Sequence, residues 1–234
     1  MAVYSEKLRY IFFANPQTAS KAIALTLRQK LDGVAFPGRE ITRNGKPIAR
    51  AHHTTYSQIL DAGLMTEAQL AGLFKFTCVR NPFDLLVSKY IKHCDRLAND
   101  PAKYPWLEGG VAAASAEHSF PQWLIHLSKV YAEIDKMAKG PLEFLAHADL
   151  VIRFEALQQG FDEALRRIGI GESIPIIEYN VTKGRAEDGA AAADAAKPKR
   201  TKKRYTEYYD PASIEAAEKL FEPILRRFNY RFGD

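Results

Sequence analysis

Three short stretches of this chain carry side chains that could do chemistry on an anion. The first, NPQTASK at residues 15–21, follows the apolar run RYIFFA and places two hydroxyls, Thr18 and Ser20, and a cation, Lys21, where a helix should begin. A helix N-terminus presents free N–H groups and about half a positive charge, so it binds phosphate or sulfate even without a cationic side chain. In the second stretch, Arg80 ends the apolar run LFKFTCV and Ser88 follows eight residues later. A guanidinium at the tip of a buried strand suits a bidentate phosphate. The third is RAHHTTYSQI, where His52 and His53 stand side by side. Histidine titrates near neutral pH and is the usual proton acceptor for a hydroxyl.

Each stretch also has a plainer reading. Thr18 could simply cap its helix. Arg80 could pair with Asp84 and leave Ser88 on a solvated flank, and the two histidines could be surface or capping groups. His93, His118, His126 and His147 stand in no motif and are expected to be structural.

These residues need elements to position them. RYIFFA (9–14), LFKFTCV (73–79) and ADLVIRF (148–154) are short aromatic and β-branched runs that read as buried strands. Helices are expected over Thr18–Leu31, Tyr56–Ala62, Thr66–Gly72, Pro82 to about Arg96, Phe120–Met137, the stretch EALQQGFDEALRRIG stopped by Gly169, and Pro211 to about Asn229. Residues 34–51 and 97–118 read as loops rich in Gly, Pro or Ala, the former with room for one short strand. Alternating strands and helices imply a parallel sheet covered on both faces, with ligands bound beyond the carboxyl ends of its strands. Both anion-directed stretches lie at such ends.

In the helix after Arg80, Asn81 and Asp84 resemble a capping pair and Pro82 suits the first turn. At 100° per residue, Phe83, Leu86, Val87 and Tyr90 form one apolar stripe. Ser88 lies more than a right angle from its centre, beside Asp84, so it is not a core residue.

Composition sets the outer limits. A chain of 234 residues with 47% hydrophobic content can bury a sizeable core as one domain. No apolar run reaches eighteen residues, the start MAVYSEKLRYIFF is no signal peptide, and Cys78 and Cys94 form no metal or disulfide pattern. A soluble, cytoplasmic protein without a metal is therefore expected. The net charge of +5 is local: KPKRTKKR (197–204) carries six positive charges and leaves the rest at about −1. That distribution, with no zinc-finger, RRM or homeodomain pattern, argues against a nucleic-acid partner. Residues 184–204 are low in complexity and are expected to form a mobile insertion, whose basic run could order over an anionic ligand, attract a polyanionic acceptor such as a glycan, or simply stay solvated. Trp106 and Trp123 could platform a sugar ring or belong to the core. The ATP/GTP loop GxxxxGK[ST] is absent, and no glycine lies between Arg9 and Leu31, which disfavours an ATP-dependent kinase.

Together IFFANPQTASKAI and FTCVRNPFDLLVSKY resemble the sulfotransferases that use 3′-phosphoadenosine 5′-phosphosulfate (PAPS), especially the carbohydrate branch of heparan and chondroitin type. Weaker echoes are the histidine stretch RAHHTTYSQI, NVTKGR at 180–185, and the closing YTEYYDPASIEAAEKLFEPILRRFNYRF. The resemblance implies that Gln17, Thr18, Ala19, Ser20, Lys21 and Ala22 hold the 5′-phosphosulfate. It implies that Arg80 and Ser88 hold the 3′-phosphate, that Lys183, Gly184 and Arg185 complete that site, and that His53, with His52 second, is the catalytic base. The implied fold is a single α/β domain spanning 1–234, of P-loop-like three-layer type with a central parallel sheet flanked by helices.

One residue departs from the family. Its loop reads Pro-Lys-Thr, whereas this chain has Pro16-Gln17-Thr18. Glutamine donates a hydrogen bond without charge, and losing such an electrostatic contact costs roughly 3 kcal/mol of transition-state stabilisation. Lys21, one turn on, could substitute by curling back over the loop. Two functions follow: sulfuryl transfer to a hydroxyl acceptor, with a carbohydrate foremost, or nucleotide binding on the same fold with weak or no transfer.

Overall fold

The computed structural model describes residues 2–99, 101–104, 110–134, 139–179 and 203–234. The chain begins with β1 (Ala2–Ser5), β2 (Tyr10–Phe13) and α1 (Ser20–Lys30). Three short strands follow, β3 (Val34–Phe36), β4 (Ile41–Arg43) and β5 (Lys46–Ala49), then α2 (Tyr56–Asp61), α3 (Glu67–Ala71), β6 (Phe74–Val79) and α4 (Pro82–Asn99). The second half comprises α5 (Gly110–Glu117), α6 (Phe120–Ile134), α7 (Lys139–Ala146), β7 (Leu150–Arg153), α8 (Leu157–Arg167) and α9 (Pro211–Phe228).

The architecture is α/β, a central and mostly parallel sheet flanked by helices. Its order is β3-β1-β2-β6-β7, and the three strands anticipated from sequence, β2, β6 and β7, are neighbours and parallel. The sheet differs from an all-parallel one at the other edge, where β1 runs antiparallel to both β2 and β3. Antiparallel pairing suits that edge because the turn between β1 and β2 is too short for a helical crossover.

Side-chain alternation explains why the parallel strands read as continuous apolar runs. Tyr10, Phe12, Phe76, Cys78 and Ile152 face α1 and α8, packing with Ile23, Leu27, Phe161 and Leu165. Ile11 and Phe13 face the other way, toward Tyr56, Ile59, Leu70 and Phe144 of α2, α3 and α7. Val79 begins a third cluster with Phe83, Trp123, Leu124, Ala217 and Phe221 of α4, α6 and α9. Gly160 lets α8 approach β7, since a Cβ there would come within 2.6 Å of Ile152.

Two regions depart from the sequence expectation. Residues 34–51 hold three short strands; β4 and β5 form a hairpin about Asn44-Gly45, both with positive φ. The stretch 97–118, expected as loop, contains the end of α4 and all of α5, whose sequence GVAAASAE is rich in the best helix former. Residues 184–202 of the low-complexity stretch lie outside the described residues, as do Lys183 and Trp106. No helix among the described residues is long and apolar enough to cross a membrane.

Candidate active site

Because β2, β6 and β7 run parallel, their carboxyl ends deliver residues 14–19, 80–81 and 154–156 to one side of the sheet. The loop after β2 is built around Asn15. Its side-chain amide donates to the Cys78 carbonyl at 2.9 Å, tying the loop to β6. Its own carbonyl accepts from Thr18 Oγ1 at 2.9 Å and Ser20 Oγ at 2.7 Å. Both hydroxyls are thus turned inward, with Thr18 fully buried, and they shape the loop. An anion there would meet backbone amides, not these hydroxyls.

Gln17 and Ala19 both adopt left-handed backbone conformations, φ 62° and 58°. For residues with a Cβ this costs about 1–2 kcal/mol each, and it curls the chain so that α1 starts abruptly. Ala19 is the N-cap of α1 and offers no side-chain cap, so Thr18 is not the capping group. The first-turn amides at Ser20 and Lys21 are therefore left to whatever binds there. Gln17 Oε1 is buried without a hydrogen-bond partner among the described residues. Ala22 is half-buried, and its amide closes the first turn on the Ala19 carbonyl at 3.0 Å. Lys21 is exposed, with its ammonium 5.6 Å from the centre of the Tyr179 ring.

Arg80 is paired with Asp84 in the structure: Nε and Nη2 engage Asp84 Oδ2 at 2.8 and 2.7 Å. Its third contact spans the site, Nη1 donating to the Gln17 carbonyl at 3.2 Å. The guanidinium lies on the Phe154 ring, 4.3 Å from its centre. With five N–H donors on a guanidinium, one remains on each terminal nitrogen, so the pair with Asp84 does not exhaust its capacity for an anion. Ser88 is half-buried on the flank of α4, and among the described residues nothing bonds its hydroxyl. The buried positions of α4 include Phe83, Leu86 and Val87, as the apolar stripe requires.

Glu155, which the sequence reading missed, supports this junction. One of its carboxylate oxygens accepts the Asn81 amide at 2.7 Å and the other the Tyr230 hydroxyl at 2.8 Å. Only its place at the end of a third parallel strand could have marked it. Asn81 reaches the Arg231 carbonyl at 3.3 Å, and Tyr209 donates to the Phe83 carbonyl at 2.9 Å, so the closing segment packs on the start of α4.

His53 joins the first junction from the loop after β5. Its Nδ1 lies 2.7 Å from the Ala14 carbonyl oxygen. A carbonyl can only accept, so Nδ1 carries the proton and Nε2 is the lone-pair nitrogen of the neutral ring. Burial lowers its pKa, opposed by the bond to Ala14, while the charges of His52 and Lys21 lower it further. His52 itself is exposed. Trp123 is fully buried beside Tyr90 and Phe120, which places it in the core and not on a sugar platform. Lys183, Gly184 and Arg185 lie outside the described residues. Among the described residues no cluster of three or more His, Cys, Asp or Glu side chains could hold a metal ion.

The strand ends of this α/β sheet thus carry an uncapped helix start, an arginine linked to the loop before it, and a histidine bonded to the strand that precedes that loop. The family model of the sulfotransferase family matches residues 16–231, and the chain belongs to that family. No curated protein and no solved structure gives a significant match.

Proposed function

We propose that this protein transfers a sulfuryl group from PAPS to a hydroxyl of an acceptor, a carbohydrate, with His53 as general base. The observation that carries the proposal is the Nδ1–H bond from His53 to the Ala14 carbonyl, beside the uncapped start of α1. It supports a neutral imidazole close to the loop that would receive the anion.

PAPS supplies the activated sulfuryl group. In-line sulfuryl transfer resembles phosphoryl transfer, where catalysis is mostly positioning and electrostatics. The α1 amides would hold the 5′-phosphosulfate, and the free donors of Arg80, with Ser88, would hold the 3′-phosphate. His53 Nε2 would take the acceptor's proton as the new S–O bond forms and the bond to the bridging oxygen breaks. Nδ1 keeps its proton and its carbonyl partner throughout, so the ring does not have to turn.

The second reading, binding with slow transfer, is favoured by Gln17, which brings no charge to the loop. The experiment is a radiolabel transfer assay from PAPS to a panel of glycans. Label on a glycan, lost in His53→Ala, supports the proposal. Tight binding of the bisphosphate product without any label transfer supports the second reading.

A further inference from the structure

The segment that carries His53 is held from its other side by α7. Glu143 Oε1 accepts from Thr55 Oγ1 at 2.6 Å and also from Ser57 Oγ. One helical turn on, the His147 ring stacks on Tyr56 with centroids 3.9 Å apart and planes 14° from parallel. Thr55, Tyr56 and Ser57 are consecutive, they start two residues after His53, and they form the N-cap and first positions of α2.

This anchorage is not needed to make the helix start. Thr55 already forms a complete capping box with Gln58. What it does fix is where α2 and the residues before it sit. A six-residue helix has little stability of its own, so its position depends on tertiary contacts. His53 is in a left-handed conformation, φ 59°, which persists only where the surroundings impose it. On one side the constraint is the Ala14 carbonyl. Thr54, fully buried and bonded to the Arg50 carbonyl, closes the turn between. On the far side stands Glu143. Its helix is firmly placed: Phe144 is buried with the β2 and α2 cluster, and Leu145 with the α4, α6 and α9 cluster.

We propose that Glu143 is a positioning residue for the base: by holding Thr55 and Ser57 it keeps His53 seated on the Ala14 carbonyl, with Nε2 left as the acceptor. The inference rests on the reading of His53 as base and adds to it a residue 88 positions distant from Thr55 in sequence. Burial, the Ala14 bond and neighbouring groups such as Lys21 of α1 act on the ring's pKa, and Glu143 is not one of them, so Glu143 works here through geometry.

The test is an NMR titration of the full chain with ¹⁵N-labelled histidine, which needs no acceptor. Wild type should show His53 with its proton on Nδ1 and a pKa below the ordinary value. In Glu143→Ala the ring should lose that fixed tautomer and its pKa should rise toward the ordinary value. Glu143→Gln, whose amide oxygen still accepts both hydroxyls, should restore the wild-type titration. Ser57→Ala should shift it partway, and it decides the matter if Glu143→Ala does not fold. Affinity for adenosine 3′,5′-bisphosphate should be unchanged in all three, and with a glycan acceptor Glu143→Ala should lower kcat about 10-fold without raising the KM for PAPS. A wild-type tautomer and titration in the Ala variants would overturn the proposal. Failure of the base assignment would look different: His53→Ala would keep full turnover whatever the Glu143 titrations show.

Discussion

Arg80 donates from Nη1 to the carbonyl oxygen of Gln17 across 3.2 Å, so the two strand-to-helix junctions are linked through the side chain expected to hold the nucleotide. The same guanidinium rests on Phe154 and is aligned by Asp84, which makes it a rigid donor. A rigid donor loses little entropy on meeting a phosphate.

Replacing Arg80 by alanine should remove charge-assisted bonds to the 3′-phosphate, each contributing about 1.5–3 kcal/mol. Affinity for adenosine 3′,5′-bisphosphate should fall by at least roughly 10²-fold, measured by calorimetry. A loss of only two- or threefold would mean that the phosphate binds elsewhere.

His53→Ala should leave nucleotide affinity intact and lower transfer by about 10²-fold or more. Because burial lowers the pKa of His53, the ring is neutral across the physiological range, and the base form is lost only on acidification. The rate should therefore be flat near pH 7 and fall on an acid limb whose midpoint lies below the ordinary histidine value of about 6.5. A limb centred above that value would assign the titration to another group.

Gln17→Lys should raise the transfer rate by up to roughly 10²-fold if the neutral side chain is what limits the reaction. An unchanged rate would show that Lys21 already supplies the charge. Stopped assays across PAPS concentrations distinguish a kcat effect from one on KM.

A further pH dependence comes from outside the site. His93 is buried in α4, and desolvation, followed by Lys89, Arg96 and Lys92, pushes its pKa down to about 4. Between the unfolded value and about 4 the unfolded chain binds the extra proton, so stability is lost as pH falls through that window. The contribution is up to about 3 kcal/mol. Thermal melts of His93→Gln should show a shallower decline between pH 6.5 and 4 than wild type. Parallel declines would rule out His93 as the source.

Glu155→Ala should weaken the proposed nucleotide site from behind by releasing the Asn81 amide and the Tyr230 hydroxyl together. About 1–3 kcal/mol of stability should go with it. Glu155→Gln keeps an acceptor for one of the two and should fall between, as read by denaturant unfolding and bisphosphate binding.

The parallel strands and their following helices were legible because β2, β6 and β7 are short apolar runs stopped by Asn-Pro, Arg-Asn-Pro and Phe-Glu. The helical stripe through Phe83, Leu86 and Val87 likewise predicted its own burial. Of strands β3 to β5 the sequence suggested one, because each has only three or four residues among glycines and prolines, and α5 was read as loop because its alanines carry no polar stripe. The inward turn of Thr18 and Ser20 was invisible because it depends on the Asn15 carbonyl, and a backbone acceptor leaves no mark on composition. Asp84 was legible as the partner of Arg80 from its place four residues on, in the first turn of the helix that follows. Glu143 and Glu155 were not, because they bond residues 88 and 74 positions away.

Whether these junctions bind PAPS can be measured without any acceptor. Calorimetry should compare adenosine 3′,5′-bisphosphate with ATP on wild type and Arg80→Ala. Tight binding of the bisphosphate, clear preference over ATP, and loss of that preference in the variant are expected. Preference for ATP, or bisphosphate binding indifferent to Arg80, would contradict the proposal.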